Sequence, residues 1–142
     1  MAARGPLFAF FAFGAFWGAW GVLLPAVKEQ TGASVSELGV ALLFIAVAAL
    51  PAMLATGLLI DRFGPRLLPL TSLFFAAAVV LPGFAQSAWE LALALVFVGA
   101  CSGALDVAIN VAASGIEISG GGRVMQKAHA LFSAGFLVAS VL

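Results

Sequence analysis

The sequence predicts an all-α polytopic membrane protein, and three observations carry that prediction: its composition, the spacing of its charges and the placing of its basic residues. Of 142 residues, 64% are hydrophobic and only 8% are charged, and the mean hydropathy is +1.21. A soluble domain carries about a quarter charged residues, so this surface suits lipid and not water. Six basic and six acidic residues cancel, which excludes the basic stripe of a nucleic-acid-binding protein and any acidic tail. Cys101 is the single cysteine; it has no intrachain disulfide partner and belongs to no set with metal-ligand spacing. The 16 glycines and many alanines suit helices whose backbones approach closely in lipid. No stretch is rich enough in Pro or Ser to be a linker, and no short-period repeat is present, so the chain is one domain or part of one.

The charges are few enough to be placed one by one. Residues 7–27, 38–60 and 67–85 are uncharged, and each run approaches or exceeds the roughly 20 apolar residues that cross a bilayer core. Residues 91–105 are uncharged too, and a fourth span over 88–116 follows if Asp106 and Asn110 are accommodated inside it. A last apolar run from Ala130 to Leu142 is too short by the same measure, so a fifth span, 129–142, is read as truncated, with seven or more further spans expected after it. The first run is too long for a signal-peptide core of about 7–15 residues and has no polar cleavage region after it.

Local signals set the boundaries. Ser34 and Glu37 form an S-x-x-E capping box before the second run, a device that satisfies backbone donors at a helix start. Pro82-Gly83 ends the third run, because proline cannot continue the helical ladder and glycine accepts the exit geometry. Pro51 falls mid-span in the second run, where it kinks the helix without breaking it. With the N-terminus inside, Arg4, Arg62, Arg66, Arg123 and Lys127 are cytoplasmic and only Lys28 is outside, a clear positive-inside bias. Trp20 and Trp89 then fall near the outer face as interfacial anchors, with packing on a glycine-rich helix as the alternative for Trp17 and Trp20.

Between the second and third runs lies Gly57-Leu-Leu-Ile-Asp61-Arg62-Phe-Gly64-Pro-Arg66. An aspartate at a helix end can accept backbone or arginine hydrogen bonds, and Gly64 permits a tight reversal. Holding the loop inside would require only the arginines. On Gly57, Leu59, Asp61, Arg62, Gly64, Arg66 and Leu70 the chain resembles the major facilitator superfamily, whose cytoplasmic signature between its second and third helices has this pattern; Pro65 replaces a commonly basic position. The resemblance implies the N-terminal half of such a transporter. Residues 1–142 would be a partial domain with four complete spans and a cut fifth. It also implies that Asp61, Arg62 and Arg66 act as a conformational latch between the transporter's two halves.

The fourth run holds Gly99, Gly103, Asp106 and Asn110, whose spacings of four, three and four form one helical stripe. Small residues on it imply a packed face, and they put the acid on that face and away from lipid. A carboxylate inside a membrane helix costs about 2.5–3.5 kcal/mol on insertion scales, so it faces a cavity or a partner. The alternative is solvation from the cytoplasmic end. The run Gly103-Ala-Leu-Asp106-Val-Ala-Ile-Asn110 resembles the fourth helix of the fucose-permease-like branch, and His129-Ala-Leu-Phe-Ser133-Ala-Gly135 the start of its fifth. That likeness implies proton coupling at Asp106 and solute contact at Asn110. In departure, the residues before Leu23-Leu24-Pro25 offer no acid, and Leu95 stands where drug/proton antiporters carry arginine.

His129, two residues after Lys127, is expected to be interfacial or capping, and Glu117, Arg123 and Lys127 to form a solvated loop. No phosphate-binding Gly-rich loop followed by lysine and no nucleophile–base pair appear, so neither enzyme chemistry, a metal nor a cofactor is expected. The expected partners are a small solute, protons, the bilayer and the remaining transporter helices, in a bacterial inner (plasma) membrane. Rivals are a compact four-helix multidrug exporter, which relies on an acid in its first span, and a non-transporting membrane subunit.

Overall fold

A computed structural model describes residues 3–142. Five α-helices run in order: α1 (Arg4–Thr31), α2 (Val35–Phe63), α3 (Leu67–Ala78), α4 (Ala88–Ile116) and α5 (Val124–Ser140). Short 3₁₀ turns, Gly64–Arg66 and Leu81–Phe84, flank α3, and a π-type turn, Glu117–Gly121, extends α4. Among the described residues, four segments are long and apolar enough to cross a membrane: α1, α2, Leu67–Phe84 and Ala88–Gly121. The chain is a polytopic helical membrane protein.

Each helix end has a local chemical cause. At the end of α1, Gly32 takes φ +62°, its N–H bonds the Glu29 carbonyl, and the Ala33 N–H reaches back to Lys28. These two bonds are the Schellman closure of a helix. The expected capping box opens α2: the Ser34 Oγ accepts from the Glu37 N–H at 3.2 Å, and the Glu37 carboxylate accepts from the Ser34 N–H at 2.8 Å. Pro25 lies inside α1 and Pro51 inside α2, and neither ends its helix.

The third apolar run stops being α-helical at Ala78, well before Pro82-Gly83. Pro82 has no N–H to give the carbonyl four residues back, which is that of Ala78, and its ring crowds the same group. The chain turns instead through 3₁₀ geometry, with the Gly83 N–H on Val80 at 3.1 Å and the Ala85 N–H on Pro82 at 3.3 Å. The last helix also departs from expectation. It begins at Val124 and so includes Lys127, whereas the apolar run suggested 129. Charges bound an apolar run but do not forbid helix; here the Glu117 carboxylate accepts from the Met125 N–H at 2.9 Å, and an anion at a helix start is favourable.

The chain divides into two compact units. One comprises Pro25–Ala108. Its core is α4, with Leu91, Leu95 and Val98 fully buried. More than half of the most apolar stretch of α4 (56%) is buried within the chain, against 6% for α2. The two helices meet where α4 has no side chains: a Cβ at Gly99 would run into the Ile45 carbonyl, and one at Gly103 would lie 2.6 Å from the Ala49 carbonyl oxygen.

The other unit comprises the described residues up to Leu24 together with Ile109–Leu142. There α1 and α5 approach in the same way, Gly14 and Gly18 against the backbone of Phe132 and Phe136, and Gly135 against that of Phe11. Aromatic rings fill the space beside these contacts. Phe13 meets Phe132 edge-on at 5.8 Å, and Trp20, buried, stacks on Phe16 at 6.3 Å. Trp20 is therefore a packing residue, whereas Trp89, 67% exposed in the first turn of α4, is free to lie at an interface.

These contacts generate a stability test. Gly99→Val drives a side chain into α2 backbone and should destabilise the chain in detergent by about 1–3 kcal/mol or more, as overpacking does. Gly39→Ala, where nothing lies within 4 Å of the added carbon, should stay within about 1 kcal/mol of the native chain. Equal melting of the two variants would mean that α2 and α4 do not pack through Gly99.

Candidate functional site

The glycine contacts decide which part of α4 is packed against helix backbone. Gly99 and Gly103 lie against α2, and Asp106 follows Gly103 by three residues, close to the same side of the helix. Asn110 stands one turn beyond, a rise of about 6 Å. Both side chains are half-buried, and each residue makes an interaction within the chain. A carboxylic acid and a carboxamide are thus carried one turn apart on the most buried helix. The pair can exchange a proton at the acid and both donate and accept hydrogen bonds at the amide.

The α2–α3 loop is built around Gly64. Its φ of 64° and ψ of −151° lie in a region that only glycine adopts readily. The Gly64 N–H closes α2 on the Ile60 carbonyl, and three residues of 3₁₀ turn lead directly into α3. Asp61, Arg62 and Arg66 are all exposed. The guanidinium of Arg62 stands over the Phe63 ring at 5.5 Å, and Arg66 occupies the N-cap position of α3 without a side-chain cap bond. Gly57 has open space where a side chain would project, so packing within this chain does not demand a glycine there.

His129 is neither capping nor at a helix start, because α5 begins five residues earlier. Its ring meets the edge of buried Phe10 at 5.2 Å, and its carbonyl accepts the Ser133 hydroxyl at 3.1 Å.

Several structural residues went unread in the sequence. Ser87 and Glu90 repeat the S-x-x-E pattern at the start of α4, the Glu90 N–H on Ser87 Oγ at 3.3 Å and the Gln86 N–H on the Glu90 carboxylate at 2.7 Å. The signal was the same one that marked Ser34. Gly14 and Gly18 carry the same four-residue spacing as Gly99 and Gly103, which was available as a signal for the α1–α5 contact. Gln30, described below, had no local signal at all.

The chain is thus a helical membrane protein with a glycine-turned basic loop between its second and third helices and a half-buried acid in its fourth. The chain belongs to the Major Facilitator Superfamily, whose family model matches residues 7–142. It is 36% identical over 131 residues to the membrane protein MosC of Rhizobium meliloti, covering 92% of this chain and 32% of that protein. It is 33% identical to an uncharacterized MFS-type transporter of Yersinia pestis, over 92% of this chain and 34% of the relative. An uncharacterized transporter of Sinorhizobium fredii, y4wD, is 34% identical over 79% of this chain and 30% of its own length. The chain thus spans about a third of the length of these curated relatives. No solved structure matches it significantly.

The Gly64 geometry is directly testable. Gly64→Ala should destabilise the chain by about 1–3 kcal/mol through strain at that φ and ψ, whereas Gly57→Ala should not. Unfolding of both variants in mixed micelles measures this, and an unperturbed Gly64→Ala would refute the turn.

Proposed function

We propose that the chain works in a secondary transporter that moves a small organic solute, such as a sugar, together with protons by alternating access. Within the superfamily, the run from Gly103 to Asn110 favours the fucose-permease-like branch. The observation that carries the reading is the half-buried pair Asp106 and Asn110, an acid and an amide one turn apart on α4. An acid held within a membrane helix is expensive unless it serves a partner, a pathway or a proton relay. Asp106 is the proton-coupling group, binding a proton in one part of the cycle and releasing it in another. Asn110 is the solute contact; its uncharged donors and acceptor suit hydroxyl groups.

The loop from Asp61 to Arg66 is the conformational latch of the same machine. Charges favour one state of a transporter only through contacts made in that state and lost in the other. The exposure of Asp61, Arg62 and Arg66 in this chain supports such contacts with other parts of the transporter. The loop faces the cytoplasm, as the bias of five basic residues to one supports. The membrane is the bacterial inner membrane, in keeping with the bacterial sources of the relatives.

Transport by the full protein tests both assignments. Asp106→Asn should abolish proton-driven accumulation of the solute yet leave exchange across the membrane partly intact. A variant that still concentrates solute with unchanged pH dependence would remove Asp106 from the coupling role. Asp61→Asn should lower the transport rate at unchanged membrane abundance. Labelling of Phe63→Cys by an impermeant thiol reagent applied outside intact cells would overturn the orientation.

A further inference from the structure

The C-terminal end of α1 is tied to a distant part of the chain by one side chain. The Gln30 amide nitrogen lies 2.7 Å from the Ala85 carbonyl oxygen, 3.3 Å from that of Pro82 and 3.3 Å from that of Gly83. All three oxygens are acceptors, so the nitrogen of Gln30, and not its oxygen, must face them. They belong to the 3₁₀ turn Leu81–Phe84 and its exit, the segment in which Pro82 has broken the ladder of α3. The end of such a turn leaves its last carbonyls short of helical donors, and the donor arrives from 52 to 55 residues away. Around it the packing is tight: Val27, Thr31 and Ala33 at the end of α1, and Pro82 and Ala85 in the turn, are all buried.

We propose that Gln30 is a positioning residue that makes the end of α1 and the α3–α4 turn a single mechanical piece, so that neither loosens without the other. The amide nitrogen has two hydrogens for three acceptors, of which the Pro82 carbonyl also accepts the Ala85 N–H. The joint holds the turn while leaving it able to shift between pairs of bonds. This turn sets where α4 begins: immediately after it come Ser87 and Glu90, whose bonds cap that helix. Gln30 therefore acts on the start of α4 through the turn.

An ammonium group offers three hydrogens to the same three oxygens, whereas an alkyl group offers none. Gln30→Lys should keep the joint and Gln30→Leu should open it. Backbone hydrogen exchange of the full chain in lipid nanodiscs, followed by mass spectrometry, reads both ends at once. In Gln30→Leu the amides of residues 27–33 and 81–91 should exchange together, about tenfold faster, as for loss of one or two net hydrogen bonds. Gln30→Lys should match the native chain in both segments, and α5 should stay protected in either variant. Unchanged exchange in Gln30→Leu, or faster exchange in only one segment, would overturn the proposal. So would a Gln30→Lys chain that behaves like Gln30→Leu. If Gln30→Leu loses protection throughout, the lysine variant decides: native-like protection supports the joint, and general loss refutes it.

Discussion

Contact between helix backbones at glycine is the constraint under which the rest of this chain is arranged. In lipid, apolar side chains gain little by leaving one apolar surface for another, so helices associate through close van der Waals contact and hydrogen bonds. Gly99 and Gly103 let α4 meet α2 at the carbonyls of Ile45 and Ala49, and Gly14, Gly18 and Gly135 do the same for α1 and α5. A methyl group at any of these positions would push the backbones apart. Because the contact has one face, it also has one orientation: it fixes the rotation of α4 about its own axis. On the same helix Leu91, Leu95 and Val98 are buried and Asp106 is half-buried. The packing of α4 against α2 is a consequence of the same few missing side chains.

A second constraint acts at the helix ends, where backbone groups must find partners near a membrane with little free water. The ends described above are closed by several devices. Gly32 turns α1 with a Schellman pair, Ser34 and Glu37 open α2, Gly64 terminates it, and Glu117 opens α5. The end of the Leu81–Phe84 turn is served from a distance by Gln30. Most of the residues in these devices are polar or charged, which places much of the chain's limited polarity where backbone groups need it. Asp106 stands apart from these devices: it lies half-buried within α4, away from either helix end, and proton coupling is the role proposed for it.

Legibility followed the range of the interaction. Spans 7–27 and 38–60 were readable because composition alone decides what can enter lipid, and the helices α1 and α2 contain them. Ser34 and Glu37 were readable because their bonds join residues three apart. The end of α3 was visible in kind but displaced, since a proline acts on the carbonyl four residues before it and not at its own position. The start of α5 was misplaced because Lys127 limits an apolar run without limiting a helix. Gln30 was invisible: its partners lie more than fifty residues away, and nothing in its neighbours announces them. The stripe from Gly99 to Asn110 was legible from spacing, but which helix it would meet was not, because a glycine gives no sign of its partner.

The central claim is that α4, fixed by its glycines against α2, carries a carboxyl at Asp106 that binds and releases protons. Infrared difference spectroscopy of the transporter in membranes, recorded across a pH titration, observes that group directly through its carboxyl C=O stretch. The account predicts a titrating carboxyl band in the native protein that disappears in Asp106→Asn and persists in Asp61→Asn. A spectrum in which every titrating carboxyl band survives Asp106→Asn would contradict it.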